Sequence, residues 1–291
     1  MTVYEGQTFA DVYSWVLKEI YKNPDFKCKP RDQMIHEDTN VSLVIHDPLS
    51  SFYLNERRSS QFKYILAELC WYFSGRNDTQ WISKFSKFWN QIQNPDGTAN
   101  SAYGFLLFND PNDHGISEWE WALESLKKDQ DSRQATIQFN KPQHKWWGNK
   151  DFVCTLNGIF HIRDNKLDFT IDMRSNDLIL GLPMDIPFFT LLQWQMLQHL
   201  NIDRKIPIEM GKYTHIAHSL HIYERNFELV EEMLKYKFEP LSCPSDLLVD
   251  WINPNGSPTN HTKMHTDNVE IDTVRLTPSG LEWQIYLQKE V

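Results

Sequence analysis

Apolar residues at Phe9, Val12, Val16 and Ile20 recur every three or four positions, the period of a helix with one buried face. The run V-S-L-V-I from Val41 to Ile45 predicts a strand, ended by Asp47-Pro48. From about Ser60 to Phe73 the chain is apolar almost all round a helical wheel, so this helix is expected to be buried, with Gly75 as its stop. Ser117 and Glu120 have capping-box spacing and open a helix through W-A-L-E-S-L-K-K. After that the period drops to two. Strands are predicted over Ala135 to Phe139, Val153 to Ile162 and Leu167 to Arg174. In the last, Leu167, Phe169, Ile171 and Met173 share one face, and Asp168, Thr170, Asp172 and Arg174 share the other. The R-D-N-K between the last two strands suits a hairpin turn. Pro187 is read as opening a long helix through Leu200, and Ile222 to Leu234 as one more. No repeat, linker or shift in composition marks a boundary. Residues 1–291 are therefore expected to form a single α+β domain, a curved sheet flanked by helices.

Composition narrows the function classes. A formal net charge of -10 opposes a protein that coats nucleic acid or anionic membrane, since phosphate binding needs a basic surface. The four cysteines, Cys28, Cys70, Cys154 and Cys243, are widely spaced with no C-x-x-C pair, which suggests reduced thiols rather than a disulfide frame or zinc knuckle. No apolar run reaches membrane-spanning length, and M-T-V-Y-E-G-Q lacks a signal pattern. The expectation is a cytoplasmic protein of a bacterial or phage-infected cell, with no membrane and no nucleic-acid partner.

The candidate chemistry is concentrated between Asp151 and Ile186. Cys154 precedes Arg174 in an R-S-x-D group; a G-L-P turn follows, and then Asp185. A thiol near a fixed guanidinium is a plausible nucleophile, because the cation favours the thiolate. A lone cysteine is more often a buried structural thiol. The ordered string R-S-x-D-x-x-x-G-x-P behind it reverses that reading. The string resembles the nucleotide site of the thymidylate synthase superfamily. Other blocks resemble that family in the same order, from about Arg31 to Tyr223. They are E-L-C-W-Y-F-S-G (Glu68 to Gly75), N-S-A-Y-G (Asn100 to Gly104), D-S-R-Q (Asp131 to Gln134) and S-L-H-I-Y (Ser219 to Tyr223).

The resemblance implies a curved mixed sheet with one face forming a homodimer interface, and a pyrimidine nucleoside monophosphate and 5,10-methylenetetrahydrofolate as the two substrates. It implies that Cys154 adds to carbon 6 of the base, so that carbon 5 becomes nucleophilic. Arg174, Ser175, Arg31 and Arg133 match phosphate ligands, Arg133 being contributed across the interface. Gln134 stands where the family often has a second arginine. Glu68, on an otherwise apolar helix, is implied to organise water and move the carbon 5 proton. Asp177 matches the residue that anchors the folate ring, with Gly181 in the same block, and Trp89 and Tyr103 match pocket aromatics. His221 and Tyr223 are implied to bond the sugar hydroxyl.

Two other clusters are expected to hold neither a metal nor a nucleic acid. His215, His218 and His221 have spacings of three but lie near no acidic or cysteine ligand motif, so no metal is expected. Lys145, Trp146 and Trp147 are read as a loop against the core or a dimer rim rather than a nucleic-acid stacking patch.

Asp185 decides the base. Synthases end G-L-P-x-N, whose amide suits uracil; here the segment is G-L-P-M-D. A carboxylate accepts from the exocyclic amine of cytosine and shares a proton at its ring nitrogen, whereas the uracil carbonyl would face an acidic oxygen. The aspartate, the C-T at Cys154-Thr155 and the S-L-H-I-Y phrase resemble the phage-type deoxycytidylate hydroxymethylases. The expected activity is 5-hydroxymethylation of a cytidine monophosphate, most simply dCMP. The competing readings are a dCMP 5-methylase, a thymidylate synthase or dUMP hydroxymethylase, and a catalytically silent nucleotide-binding homologue.

Overall fold

The computed structural model describes residues 1–202, 204–243, 269–277 and 280–287, the last two ranges by their backbone. The elements run in the order β1 (Thr2–Gly6), α1 (Phe9–Lys22), β2 (Phe26–Cys28), β3 (Ile35–Ile45), β4 (Phe52–Leu54), α2 (Phe62–Phe73), α3 (Phe88–Ile92), α4 (Tyr103–Phe108) and α5 (Glu118–Lys128). They continue with β5 (Thr136–Gln138), β6 (Thr155–Arg163), β7 (Lys166–Met173), β8 (Asn176–Asp177), α6 (Leu182–Asn201), β9 (Glu209–Tyr223), α7 (Phe227–Met233), β10 (Glu239–Leu241), β11 (Val269–Thr277) and β12 (Gly280–Leu287). Among the described residues two compact units emerge, one of Met1–Ser60 with Cys154–Cys243, the other of Gln61–Val153 with β11 and β12.

The first unit holds a large mixed sheet in the order β1-β3-β9-β7-β6, with β2 beside β3 and β8 beside β9. β9 is its spine. It runs antiparallel to β3, from Ile35 opposite Tyr223 to Ile45 opposite Tyr213, and parallel to β7 and then β8. The core face of β7 is Leu167, Phe169, Ile171 and Met173, as the alternation predicts, and Phe160 of β6 stacks on Phe169 with ring centroids 3.9 Å apart. α1 buries Phe9, Val12, Tyr13, Val16, Leu17 and Ile20, and it packs on β1 and β3. α6 packs on β7 and β9. A register shift between Leu167 and Phe169 interrupts the pairing of β7 with β9 near the start of β7. Buried Gln193 of α6 fills that gap, donating to Leu167 O at 2.8 Å and Lys212 O at 3.2 Å.

In the second unit, α2 buries Ile65 through Tyr72, as its all-round apolar pattern requires. α5 starts at the expected capping box, with Glu120 N donating to Ser117 Oγ and Ser117 N to Glu120 Oε2. Gly104 has a clear physical reason: a Cβ there would fall 1.6 Å from the Tyr72 carbonyl oxygen, so only glycine lets α4 pass α2 so closely.

Three expected elements differ. The helix expected to open at Pro187 begins at Leu182, because Gly181 caps it and accepts from Met184 N and Asp185 N. Pro187 then sits inside the helix at the loss of one backbone bond. The helix expected over Ile222–Leu234 is the end of β9, one 3₁₀ turn and α7, since pairing with β3 holds Ile222 and Tyr223 in the sheet. The strand expected from Val153 begins at Thr155, which leaves Cys154 in the approach to β6.

Candidate functional site

Cys154 and Arg174 sit at neighbouring ends of the β6–β7 hairpin. Arg174 N donates to Cys154 O at 3.0 Å, and the guanidinium Nη2 lies 3.4 Å from Cys154 Sγ. Both side chains are half-buried. The sequence pair is thus a contact in space, brought about by the hairpin register. Cys70 and Cys243 are different thiols: burial pushes each up to about 12.

Ser175 follows Arg174, and β8 then lays Asp177 opposite His221 of β9. Asp177 Oδ1 accepts from Ile179 N at 2.7 Å and Leu180 N at 3.3 Å, which fixes the carboxylate in a local turn. Gly181 N donates to Asp177 O, and a Cβ on Gly181 would meet Asn176 Oδ1 at 2.5 Å. The glycine thus permits the close passage that launches α6. Asp185 lies half-buried in the first turn of α6, where the helix dipole favours a negative charge, and its Oδ2 accepts from Asn176 Nδ2 at 3.2 Å.

His221 is buried, and Tyr223 stands edge-on to it with ring centroids 5.0 Å apart. Burial pushes His221 down, opposed by the charges of Asp177 and Glu37. Ser219 Oγ donates a short hydrogen bond to Glu37 of β3, so the neighbouring strand returns a carboxylate where the S-L-H-I-Y phrase has serine. Arg225 lies over the Tyr223 ring at 4.0 Å. Arg31 is exposed in a 3₁₀ turn with φ 50°.

The three histidines are separated by the geometry of the strand. His215 and His221 are buried on β9, whereas His218 points to the opposite face and pairs with Asp172 at 2.9 Å. No group of three or more candidate metal ligands occurs among the described residues.

In the second unit Glu68 is buried on α2 and accepts from Tyr64 Oη at 2.6 Å; Tyr64 Oη in turn accepts from Trp89 Nε1 at 3.0 Å. Tyr103 stacks on Tyr72 at 5.3 Å. Glu68, Trp89 and Tyr103, distant in sequence, therefore gather around α2. The block carrying Tyr103 is tied down by Asp151, which accepts from Ser101 N at 2.8 Å and Ser101 Oγ at 2.6 Å. Arg133 is exposed. Trp147 is wholly exposed, at 101%, and Trp146 is exposed too, so of the two readings of this loop, packing against the core does not hold for these side chains.

Sequence reasoning missed Tyr64, Glu37, Asn176, His215 and Tyr213 as site neighbours. Asn176 stood inside the quoted R-S-N-D group, but no motif signalled its side-chain partners.

Burial pushes the Glu68 carboxyl up to about 7, opposed by hydrogen bonds from Tyr64 and Tyr72. A raised carboxyl keeps its proton in the folded chain after the unfolded chain has released its own near pH 4.3. Glu68 therefore lowers stability as pH rises from that value to about 7, by on the order of 3 kcal/mol. His215, pushed down to about 3 by burial, gives the opposite slope below about pH 6.5. The informative quantity is the stability difference between Glu68→Gln and wild type in urea titrations at pH 5 and pH 7.5. It should move in favour of the variant at the higher pH; a difference independent of pH would remove Glu68 as the source.

A mixed sheet with helices packed on it, and a thiol beside a guanidinium at the end of a hairpin, define the class: an α/β protein built around a half-buried cysteine. Residues 9–274 match the sequence profile of the thymidylate synthase family, and the chain belongs to that family. The deoxycytidylate 5-hydroxymethyltransferase of Enterobacteria phage T4 is 28% identical over 220 residues, 74% of this chain and 86% of that one. The deoxyuridylate hydroxymethyltransferase of Bacillus phage SP01 is 27% identical over 234 residues, 77% of this chain and 59% of that one. The thymidylate synthase of Francisella philomiragia is 27% identical over 194 residues, 62% of this chain and 68% of that one. Membership supports a one-carbon transferase acting on a pyrimidine nucleotide, in a family whose co-substrate is methylenetetrahydrofolate. No helix among the described residues is long and apolar enough to cross a membrane.

Proposed function

We propose that this protein is a folate-dependent 5-hydroxymethyltransferase of a cytidine monophosphate, with dCMP as the first candidate substrate. The observation that carries the reading is Asp185, an acidic residue in the first turn of α6 where a synthase has asparagine. Its carboxylate matches the amine and ring nitrogen of cytosine and mismatches the carbonyl and imide of uracil.

The roles follow from the arrangement and the family. Cys154, with Arg174 favouring the thiolate, adds to carbon 6 of the base and makes carbon 5 nucleophilic. Arg174, Ser175, Arg31 and Arg133 hold the phosphate, whose three oxygens suit guanidinium forks. His221 and Tyr223 bond the sugar. Glu68, near neutrality in its proton affinity, organises water and carries the proton that leaves carbon 5. Asp177, fixed by the Ile179 and Leu180 N–H groups, is a carboxylate suited to the donor edge of a pterin, with Gly181, Trp89 and Tyr103 as further pocket residues. Methylenetetrahydrofolate supplies a one-carbon unit at the oxidation level of formaldehyde: carbon 5 bonds to its methylene and gives up its proton, and the methylene–nitrogen bond breaks so that tetrahydrofolate leaves. Water then adds to the exocyclic methylene at carbon 5, its proton is released, and the Cys154–carbon 6 bond breaks to restore the aromatic ring and the thiolate.

Residues 1–291 are read as working as one catalytic domain in a cytoplasmic homodimer. The half-buried sheet face of Ile159, Thr170, Thr214 and Ile216 serves as the meeting surface. The proposal is tested by incubating the protein with methylenetetrahydrofolate and CMP, dCMP, UMP or dUMP in turn, and weighing the products. A hydroxymethylated cytosine nucleotide is expected. A methylated product, a modified uracil nucleotide, or nucleotide binding without turnover would each replace this reading with the corresponding alternative.

A further inference from the structure

Asp185 is not held by its own helix alone. The amide Nδ2 of Asn176, on β8, lies 3.2 Å from Asp185 Oδ2, 2.9 Å from His215 Nε2 and 3.0 Å from Met173 Sδ. Beyond the imidazole, Tyr213 Oη lies 2.9 Å from His215 Nδ1. Asn176, His215 and Tyr213 are all buried. Gly181 walls in the amide, since even a Cβ there would sit 2.5 Å from Asn176 Oδ1.

The hydrogens can be followed along this chain. Burial keeps His215 neutral, with one N–H. Asn176 Nδ2 donates to His215 Nε2, so the ring proton is on Nδ1 and is donated to Tyr213 Oη. The second amide hydrogen goes to Asp185 Oδ2. The amide keeps this orientation although its own Oδ1 is buried without a hydrogen-bond partner among the described residues. The two Nδ2 contacts therefore decide how the amide points. Turned over, it would set a carbonyl oxygen against the carboxylate and require the other His215 tautomer. A donor fixed on Oδ2 makes Asp185 an acceptor and draws the proton shared with the base toward Oδ1.

We propose that Asn176, braced by His215 and Tyr213, is a positioning residue that sets Asp185 as the acceptor of an exocyclic amine and so strengthens the preference for cytosine. This rests on the reading of Asp185 given above.

The test measures kcat/KM for dCMP and dUMP and takes their ratio in wild type, Asn176→Ala, Tyr213→Phe, Asp185→Asn, and each of the first two variants combined with Asp185→Asn. Asn176→Ala should lower the ratio by about tenfold. Tyr213→Phe, which removes one oxygen and little volume, should lower it by about threefold and serves if the alanine variant fails to fold. In the Asp185→Asn background both changes should leave the ratio where it is. A general packing defect would instead lower both substrates together and persist in that background. If wild type prefers dCMP and neither variant moves the ratio, or both move it equally without Asp185, the positioning role is overturned while the reading of Asp185 stands. If wild type shows no preference for dCMP, the reading of Asp185 falls first and takes this inference with it.

Discussion

Replacing Cys154 by serine is expected to abolish turnover, by on the order of 10³-fold or more in kcat, while nucleotide binding persists. A hydroxyl beside Arg174 retains the shape and leaves the proposed phosphate ligands in place, but it is far less acidic and far less nucleophilic than a thiol. A nucleotide titration by calorimetry, run beside a tritium-release assay from carbon 5, separates the two effects. Near-normal release from the variant would end the covalent mechanism. The same variant tests the proposed homodimer. Mixed with an inactive Arg133→Ala protein, it should recover some activity, because a hybrid dimer holds one site with both residues intact. No recovery despite demonstrated subunit exchange would count against a shared site.

Asp185→Asn is expected to move base preference toward uracil by on the order of 10- to 100-fold in the ratio of kcat/KM values. The change replaces a matched pair at the base edge by a mismatched one, worth about 1–3 kcal/mol for each group left unpaired. The asparagine amide can donate to a uracil carbonyl and accept from the imide N–H, neither of which a fixed carboxylate acceptor does well. Parallel assays of wild type and variant on dCMP and dUMP check this. A wild-type enzyme that favours dUMP would overturn the role given to Asp185 and place a thymidylate synthase or uridylate hydroxymethylase first.

The local rules were legible where one short segment carries its own reason. The capping box at Ser117 and Glu120 is satisfied within a single turn, and both its bonds are present. The alternation in β7 reports which side of one strand is buried, and the core face follows it. β9, the longest strand, was not legible. Its inward positions include Tyr213 and His215, so the alternation is not apolar against polar, and burial there depends on partners from β8 and β3. Pro187 misled for a related reason. A proline at a helix start is the common case, but the glycine cap at Gly181 had already begun the helix, and tertiary packing of α6 tolerates the lost bond.

Taken alone, the sequence determined the family resemblance and set Cys154, Arg174 and the acidic Asp185 at their places within its blocks. These are matters of residue type at fixed spacing, and spacing survives in one dimension. Tertiary structure decided that Arg174 reaches Cys154, that Trp89 and Tyr64 lead to Glu68, and that Asn176, His215 and Tyr213 stand behind Asp185. Those contacts depend on strand register and on helix entry angle, which are set by the burial of whole faces rather than by any short stretch of residues. A hydrogen bond needs its partners placed to within a few tenths of an ångström, and only the packed sheet and helices supply that precision.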